Sequence, residues 1–213
     1  MPTLTRIRLN VRHSLARADL ADAVGMHKSL MRLLPEYAPT RPRAEGGLLF
    51  RLERGPEPVL LVQTAQPPDL DALPPGYGTT ECRDLAPMLN ALTCGLPVRY
   101  RITAAATAAR IHGVAPHPDT GRRRGRQVPL TGPDAMDWWQ RRATAAGLEV
   151  TTASMIPRRF ATAERAQPGP RFALAQFDGT ARIAAPAQLA HALRNGIGKG
   201  KSYGAGLLTL LPA

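Results

Sequence analysis

Five glycines (Gly196, Gly198, Gly200, Gly204 and Gly206), two of the chain's three lysines (Lys199 and Lys201) and Ser202 fall between Asn195 and Gly206. This stretch runs directly into Leu207-Leu208-Thr209-Leu210-Leu211. Glycines allow the backbone positive φ and close approach to a partner, and ammonium groups supply positive charge. A glycine-rich cationic loop entering an apolar strand is a phosphate-holding arrangement. A nucleotide P-loop is excluded. That motif needs G-x-x-x-x-G-K-[ST], and although Gly200-Lys201-Ser202 is in place, the first position is Asn195. The context also differs: residues 186–194 read as a helix before the loop, and only a short strand follows it.

A second concentration of charge is Arg122, Arg123, Arg124 and Arg126, in a stretch from Pro116 to Gln127 that reads as a loop. Arg99 and Arg101 alternate along the strand-like run 98–103 and so share one face. Overall, 28 lysines and arginines face 16 acids, a formal charge of +12, which predicts attraction to a polyanion. The five histidines (His13, His27, His112, His117 and His191) form no metal-binding spacing, and Cys82 and Cys94 lack one too. Both cysteines are expected to be reduced thiols in a cytoplasmic protein. Nothing approaches the ~18 apolar residues of a membrane span.

The elements that must position these groups form two rounds. Residues 3–11 alternate as a strand. Asp19 to Leu34 has helical spacing, with Leu20, Val24, His27, Met31 and Leu34 on one stripe and Pro35 as a stop. Strands are predicted at 48–53 and 59–63, and residues 66–78 show no convincing second helix. The second round has strands at 98–103, 148–154 and 171–184, helices at 133–146 and 186–194, and the terminal strand. This order fits an α+β chain of two tandem ferredoxin-like βαββαβ domains, 1–90 and 91–213, with the boundary falling within 85–97.

The chain resembles the repeat-cleaving CRISPR endoribonucleases of type I-E systems, the CasE family of the Cascade complex. The resemblance spans nearly the whole length. It is carried by residues 26–35 (Met-His-Lys-Ser-Leu-Met-Arg-Leu-Leu-Pro), 49–53 (Leu-Phe-Arg-Leu-Glu) and 59–64 (Val-Leu-Leu-Val-Gln-Thr). Residues 95–102 (Gly-Leu-Pro-Val-Arg-Tyr-Arg-Ile), 125–130 (Gly-Arg-Gln-Val-Pro-Leu) and 204–208 (Gly-Ala-Gly-Leu-Leu) add to it. It implies binding of a CRISPR repeat hairpin and one cut at its 3′ base, with no cofactor or metal. The attacking group is the RNA's own 2′-hydroxyl, leaving a 2′,3′-cyclic phosphate and a 5′-hydroxyl. The guide RNA product stays bound and joins the other Cascade subunits.

Such chemistry needs a proton removed, a proton delivered and charge offset on the phosphorane. The resemblance makes His27 the proton-transfer residue, expected in the first turn of its helix. Lys28, Lys199 and Lys201 are expected to offset charge. Its position on the apolar stripe also suits a core histidine. Relatives carry a tyrosine three residues before the histidine, where this chain has Val24. Tyr37 and Tyr203 are candidate substitutes, and reduced activity is expected. Arg99, Arg101, Arg122, Arg123, Arg124 and Arg126, with Gly196, Gly198, Lys199, Gly200, Lys201 and Ser202, are expected to bind RNA. Trp138 and Trp139 are adjacent on a helix, so at least one is expected in the core. A non-catalytic RNA-binding subunit of the same ribonucleoprotein is the alternative. A two-domain RRM module is weakest, because aromatics are only 5% of the chain.

Overall fold

A computed structural model describes residues 1–35, 42–110, 125–158 and 173–213. In chain order the elements are β1 (Thr3–Leu9), α1 (Ser14–Ala21), α2 (Ala23–Met31), α3 (Pro42–Glu45), β2 (Leu49–Glu53), β3 (Val59–Thr64), β4 (Gly78–Asp84) and α4 (Ala86–Asn90). There follow β5 (Pro97–Ala104), β6 (Thr107–Arg110), β7 (Arg126–Pro129), α5 (Gly132–Ala145), β8 (Leu148–Arg158), β9 (Leu174–Ile183), α6 (Pro186–Asn195) and β10 (Leu208–Pro212). Among the described residues these form two four-stranded antiparallel sheets, ordered β2-β3-β1-β4 and β10-β5-β9-β8, and a two-stranded β6-β7 pair. Both orders are those of a ferredoxin-like unit, with the first strand central.

The burial pattern explains the sheets. In β1, Thr3, Thr5, Ile7 and Leu9 point inward while Leu4, Arg6 and Arg8 alternate away from them. Ile7 packs with Met26, Leu30, Phe50, Leu60 and Val62 in one core. In the second sheet Val98, Tyr100 and Ile102 alternate inward against Trp139, Phe177 and Leu189. Both Trp138 and Trp139 are buried in this core.

Three sequence expectations need correction. The single helix over 19–34 is two helices, broken at Asp22. Its carboxylate accepts from the backbone N–H groups of Val24 and Gly25, each at 3.1 Å, so the chain restarts a helix there. Gln127, expected in a loop, lies in β7, paired with Ala109 of β6. The strand β4 was not anticipated, whereas residues 66–78 hold a 3₁₀ turn (Leu70–Ala72) and no second helix, in line with their sequence.

One close approach holds the second sheet. Gly179 of β9 lies between Tyr100 of β5 and Ala153 of β8. Over it runs a chain of hydrogen bonds: Trp139 Nε1–H donates to the Tyr100 hydroxyl (3.1 Å), which donates to Thr152 O (3.0 Å). A Cβ at position 179 would overlap Thr152 O and come 2.6 Å from the Tyr100 hydroxyl. Gly179→Ala is therefore expected to destabilise the chain by ~1–3 kcal/mol, the usual cost of overpacking. A thermal melt unchanged by this substitution would contradict the crowding.

Candidate active site

His27 is placed by α2, whose buried face is Ala23, Met26, Ser29 and Leu30. The residue is the fifth of this helix, not in its first turn as expected, and the helix start is unavailable to phosphate. The Asp22 carboxylate already occupies the Val24 and Gly25 N–H groups, and Met26 N–H donates to Asp22 O at 2.9 Å. Any contact with substrate must therefore come through the imidazole.

That imidazole sits at the rim of the first core, half-buried, and stacks on Phe50 with ring centroids 6.5 Å apart and planes 16° from parallel. Its Nδ1 is buried without a hydrogen-bond partner, which leaves Nε2 as the nitrogen a ligand can reach. Burial lowers the His27 pKa from its ordinary value of 6.5, and the nearby Arg43 lowers it further. The ring is thus neutral at pH 7 and able to accept a proton.

The glycine loop closes against the same helix. Its 3₁₀ turn, Lys201–Tyr203, packs on α2 and on β2. Gly196 and Gly206 make this possible. Gly196 has φ +71°, and a Cβ there would lie 2.7 Å from Leu49 Cδ2 of β2; Gly206 has φ +93° and would meet Ile197 O at 3.0 Å. Backbone bonds Ile197 N–H to Gly206 O (3.0 Å) and Gly206 N–H to Thr103 O (2.7 Å) pin the loop ends. From the first sheet, the buried Gln63 amide donates to Leu193 O (2.8 Å) and Arg194 O (3.2 Å), which holds the end of α6. The Lys201 ammonium donates to Asn195 O at 2.6 Å. Burial, and then Arg43, lower the Lys201 pKa.

Arg43 was not among the expected site residues. It lies in α3, and its Nη1–H donates to Leu48 O at 3.2 Å while Leu48 N–H returns a bond to Arg43 O at 2.9 Å. The signal was present in sequence: Pro42 opens a one-turn helix and Gly46-Gly47 follow it, directly before β2.

The structure brings His27, Lys201, Ser202 and Tyr203 together through α2 and the turn, and adds Arg43. Lys28 is exposed one residue along α2 and has no hydrogen bond or ion pair to a described residue; Lys199 is exposed, in a bridge to Ala105. Gly198 and Gly200 shape the loop between them. Tyr203 is half-buried in the turn, whereas Tyr37 lies outside the described residues.

Arg99 and Arg101 are elsewhere. They line an open cleft of about 1080 Å³ between the sheets, together with Arg51, Arg158 and Asp178, and neither His27 nor the loop lysines line it. Arg101 is engaged by Asp178 at 2.5 Å and by Glu53 at 3.5 Å. Arg122, Arg123 and Arg124 lie outside the described residues, as do His112 and His117, while Arg126 opens β7. Trp138 and Trp139 are committed to packing, Trp138 beneath the Arg142 guanidinium and Trp139 against Phe177. Among the described residues no group of three or more His, Cys, Asp or Glu side chains is disposed to hold a metal, and no helix is long and apolar enough to cross a membrane.

Comparison with known proteins places this geometry. A family described as CRISPR associated protein matches residues 4–212. The CRISPR-associated endoribonuclease Cse3 of Thermus thermophilus is 31% identical over 226 residues, 98% of this chain and 99% of that protein. The structure of Thermus thermophilus Cse3 bound to an RNA representing a pre-cleavage complex superposes with a TM-score of 0.79, at 27% identity over 99% of both chains. A chain of a CRISPR RNA-guided surveillance complex, pre-nicking, superposes at 0.68 with 36% identity, covering 99% of this chain and 100% of that one. A basic two-sheet chain with a histidine helix under a lysine-bearing glycine loop, matched end to end in this way, belongs to the CRISPR-associated protein family, among its CasE-type endoribonucleases.

Proposed function

We propose that this protein binds the hairpin of a CRISPR repeat transcript, cuts it once at the 3′ base, and carries the guide RNA into a Cascade assembly. The observation that carries the proposal is a neutral imidazole with a reachable Nε2 beside the lysine turn of the glycine loop. The Thermus relative is named an endoribonuclease, and its structure holds an RNA representing a pre-cleavage complex.

In the proposed step, His27 Nε2 takes the proton of the 2′-hydroxyl next to the scissile phosphate. The 2′-oxygen bonds to phosphorus and the bond to the 5′-oxygen breaks. That oxygen leaves with a proton from the Lys201 ammonium, which its lowered pKa makes a better acid. The products are a 2′,3′-cyclic phosphate and a 5′-hydroxyl. Val24 cannot transfer a proton, so Lys201 stands in for the tyrosine of relatives, with Tyr203 in the same turn. The arginines at 122–124 and 126 are the proposed hairpin readers, through bidentate bonds to phosphate and to guanine edges. We further propose two domains, 1–90 and 91–213, and a cytoplasmic location.

Val24 also favours a second reading, a subunit that binds repeat RNA without cutting it. Incubating the protein with repeat RNA in EDTA separates the two. One cut, yielding a cyclic phosphate end, is expected; retention of intact RNA overturns the endoribonuclease reading and favours the binder.

A further inference from the structure

We propose that Arg43 is a third cation of the active site, holding a non-bridging oxygen of the scissile phosphate while His27 and Lys201 move protons. This rests on the endoribonuclease reading and adds a residue to it.

The placement is geometric. The one-turn helix α3 and the Arg43–Leu48 bonds fix the guanidinium at the entry of β2. Two residues further on, Phe50 carries the ring on which His27 stacks, and the Lys201–Tyr203 turn packs on the same strand. His27, Lys201 and Arg43 thus converge on the start of β2 from α2, the glycine loop and α3.

No described carboxylate lies within ion-pairing distance of Arg43, and its one described side-chain bond uses Nη1. By contrast, Arg6, Arg51 and Arg101 are each matched by an acid. The half-buried Arg43 guanidinium and the Lys201 ammonium repel one another, and no described carboxylate pairs with Arg43. The arrangement becomes favourable when an anion enters, and a phosphate oxygen suits the guanidinium's paired donors. The mutual repulsion is visible in the direction of both neighbours: Arg43 lowers the pKa of His27 and of Lys201. On α1, Asp19 is taken up by the Tyr77 hydroxyl, and Arg43 is the charged group that moves the His27 pKa.

The division of labour follows from chemistry. Lysine can give up its proton in the step, and then it no longer offsets phosphorane charge. Arginine stays charged throughout. Arg43 supplies the charge that persists as the 5′-oxygen leaves.

The test is single-turnover cleavage of repeat RNA in EDTA, followed across pH, for the full chain and for Arg43→Gln and Arg43→Lys. Glutamine can still donate to Leu48 O but carries no charge; lysine keeps the charge without the fork. Thermal melting of each variant checks the fold. Arg43→Gln is expected to lower the plateau rate about 10²-fold and to shift the acid limb of the profile to higher pH, since the His27 imidazolium is no longer repelled. Arg43→Lys is expected to recover part of the rate and to return the limb. Arg43→Gln within about threefold of the unaltered protein, against the 10²–10³-fold typical of a lost charge-stabilising donor, overturns the inference. So does a slower rate with an unmoved limb, which would make Arg43 scaffolding only. If the unaltered protein itself leaves the RNA whole, the endoribonuclease reading fails and the inference with it.

Discussion

His27→Ala is expected to lower single-turnover cleavage of repeat RNA by ~10²–10⁴-fold, the usual contribution of a positioned proton-transfer group, and to leave retention of the hairpin nearly intact. The two readouts separate because of where the residue stands. Its ring touches Phe50 and the rim of the core, while the proposed hairpin readers at 122–126 belong to another part of the chain. The pH profile supplies an independent check. With a folded-state pKa below 6.5, the unaltered protein's rate rises with pH through that lowered value and is flat at neutrality. The variant lacks that limb. Stability carries the same sign. Because the folded chain resists protonating this imidazole, the His27 contribution is fully present above 6.5, the unfolded value, and is lost as pH falls from there through the folded value. Melting temperatures of the two proteins should therefore converge on acidification. Cleavage by His27→Ala within a few-fold of the unaltered rate, with the fold intact, removes the residue from the mechanism.

Much of this arrangement was legible in the sequence where burial imposes a period. β5 alternates Val98, Tyr100 and Ile102 against Arg99 and Arg101, and the spacing alone placed the arginines on one face. Pro186 and Gly196 bracket α6 with ordinary start and stop chemistry. The misses have physical causes too. β4 is exposed along nearly its whole length, so Thr79 to Asp84 carry no apolar alternation; its place is set by backbone pairing to β1. The break at Asp22 hides because the apolar stripe continues across it from Leu20 to Met31, while the capping carboxylate resets the helix. The buried polar side chains Arg51 and Gln63 sit in strands that read as apolar. Apart from Glu53, their partners are carbonyls and a hydroxyl 50 to 158 positions away in the second half of the fold, and no local pattern announces those. The same holds for the active site. His27 and the glycine loop are each visible alone, but their meeting depends on contacts between residues more than 150 positions apart.

Arg51 shows what that meeting rests on, and replacing it is expected to have the largest effect on stability. The side chain is 3% exposed in β2 of the first sheet. It donates to Glu53 Oε1 (2.7 Å), to Arg101 O (3.0 Å), to Leu207 O (3.1 Å) and to the Thr209 hydroxyl (2.9 Å). One guanidinium thus ties the first sheet to β5 and β10 of the second, at the point where the glycine loop becomes a strand. Arg51→Ala leaves buried carbonyls without this donor and Glu53 without its nearest cation, a loss of ~3–5 kcal/mol by comparison with other broken buried pairs. For a chain of this size that corresponds to a fall in Tm of roughly 6–20 °C. Arg51→Lys keeps the charge but not the planar fork, so it should recover only a minor part. Although Arg51 belongs to the packing and not to the proposed chemistry, cleavage should fall as well, because Leu207 follows Gly206 and anchors the loop that presents Lys201. Raising the protein concentration will not rescue either effect, since both sheets belong to one chain. A melting temperature for Arg51→Ala within about 2 °C of the unaltered protein, less than ~1 kcal/mol, would show that the sheets hold together without this tie, and the position of the loop over His27 would then need another cause.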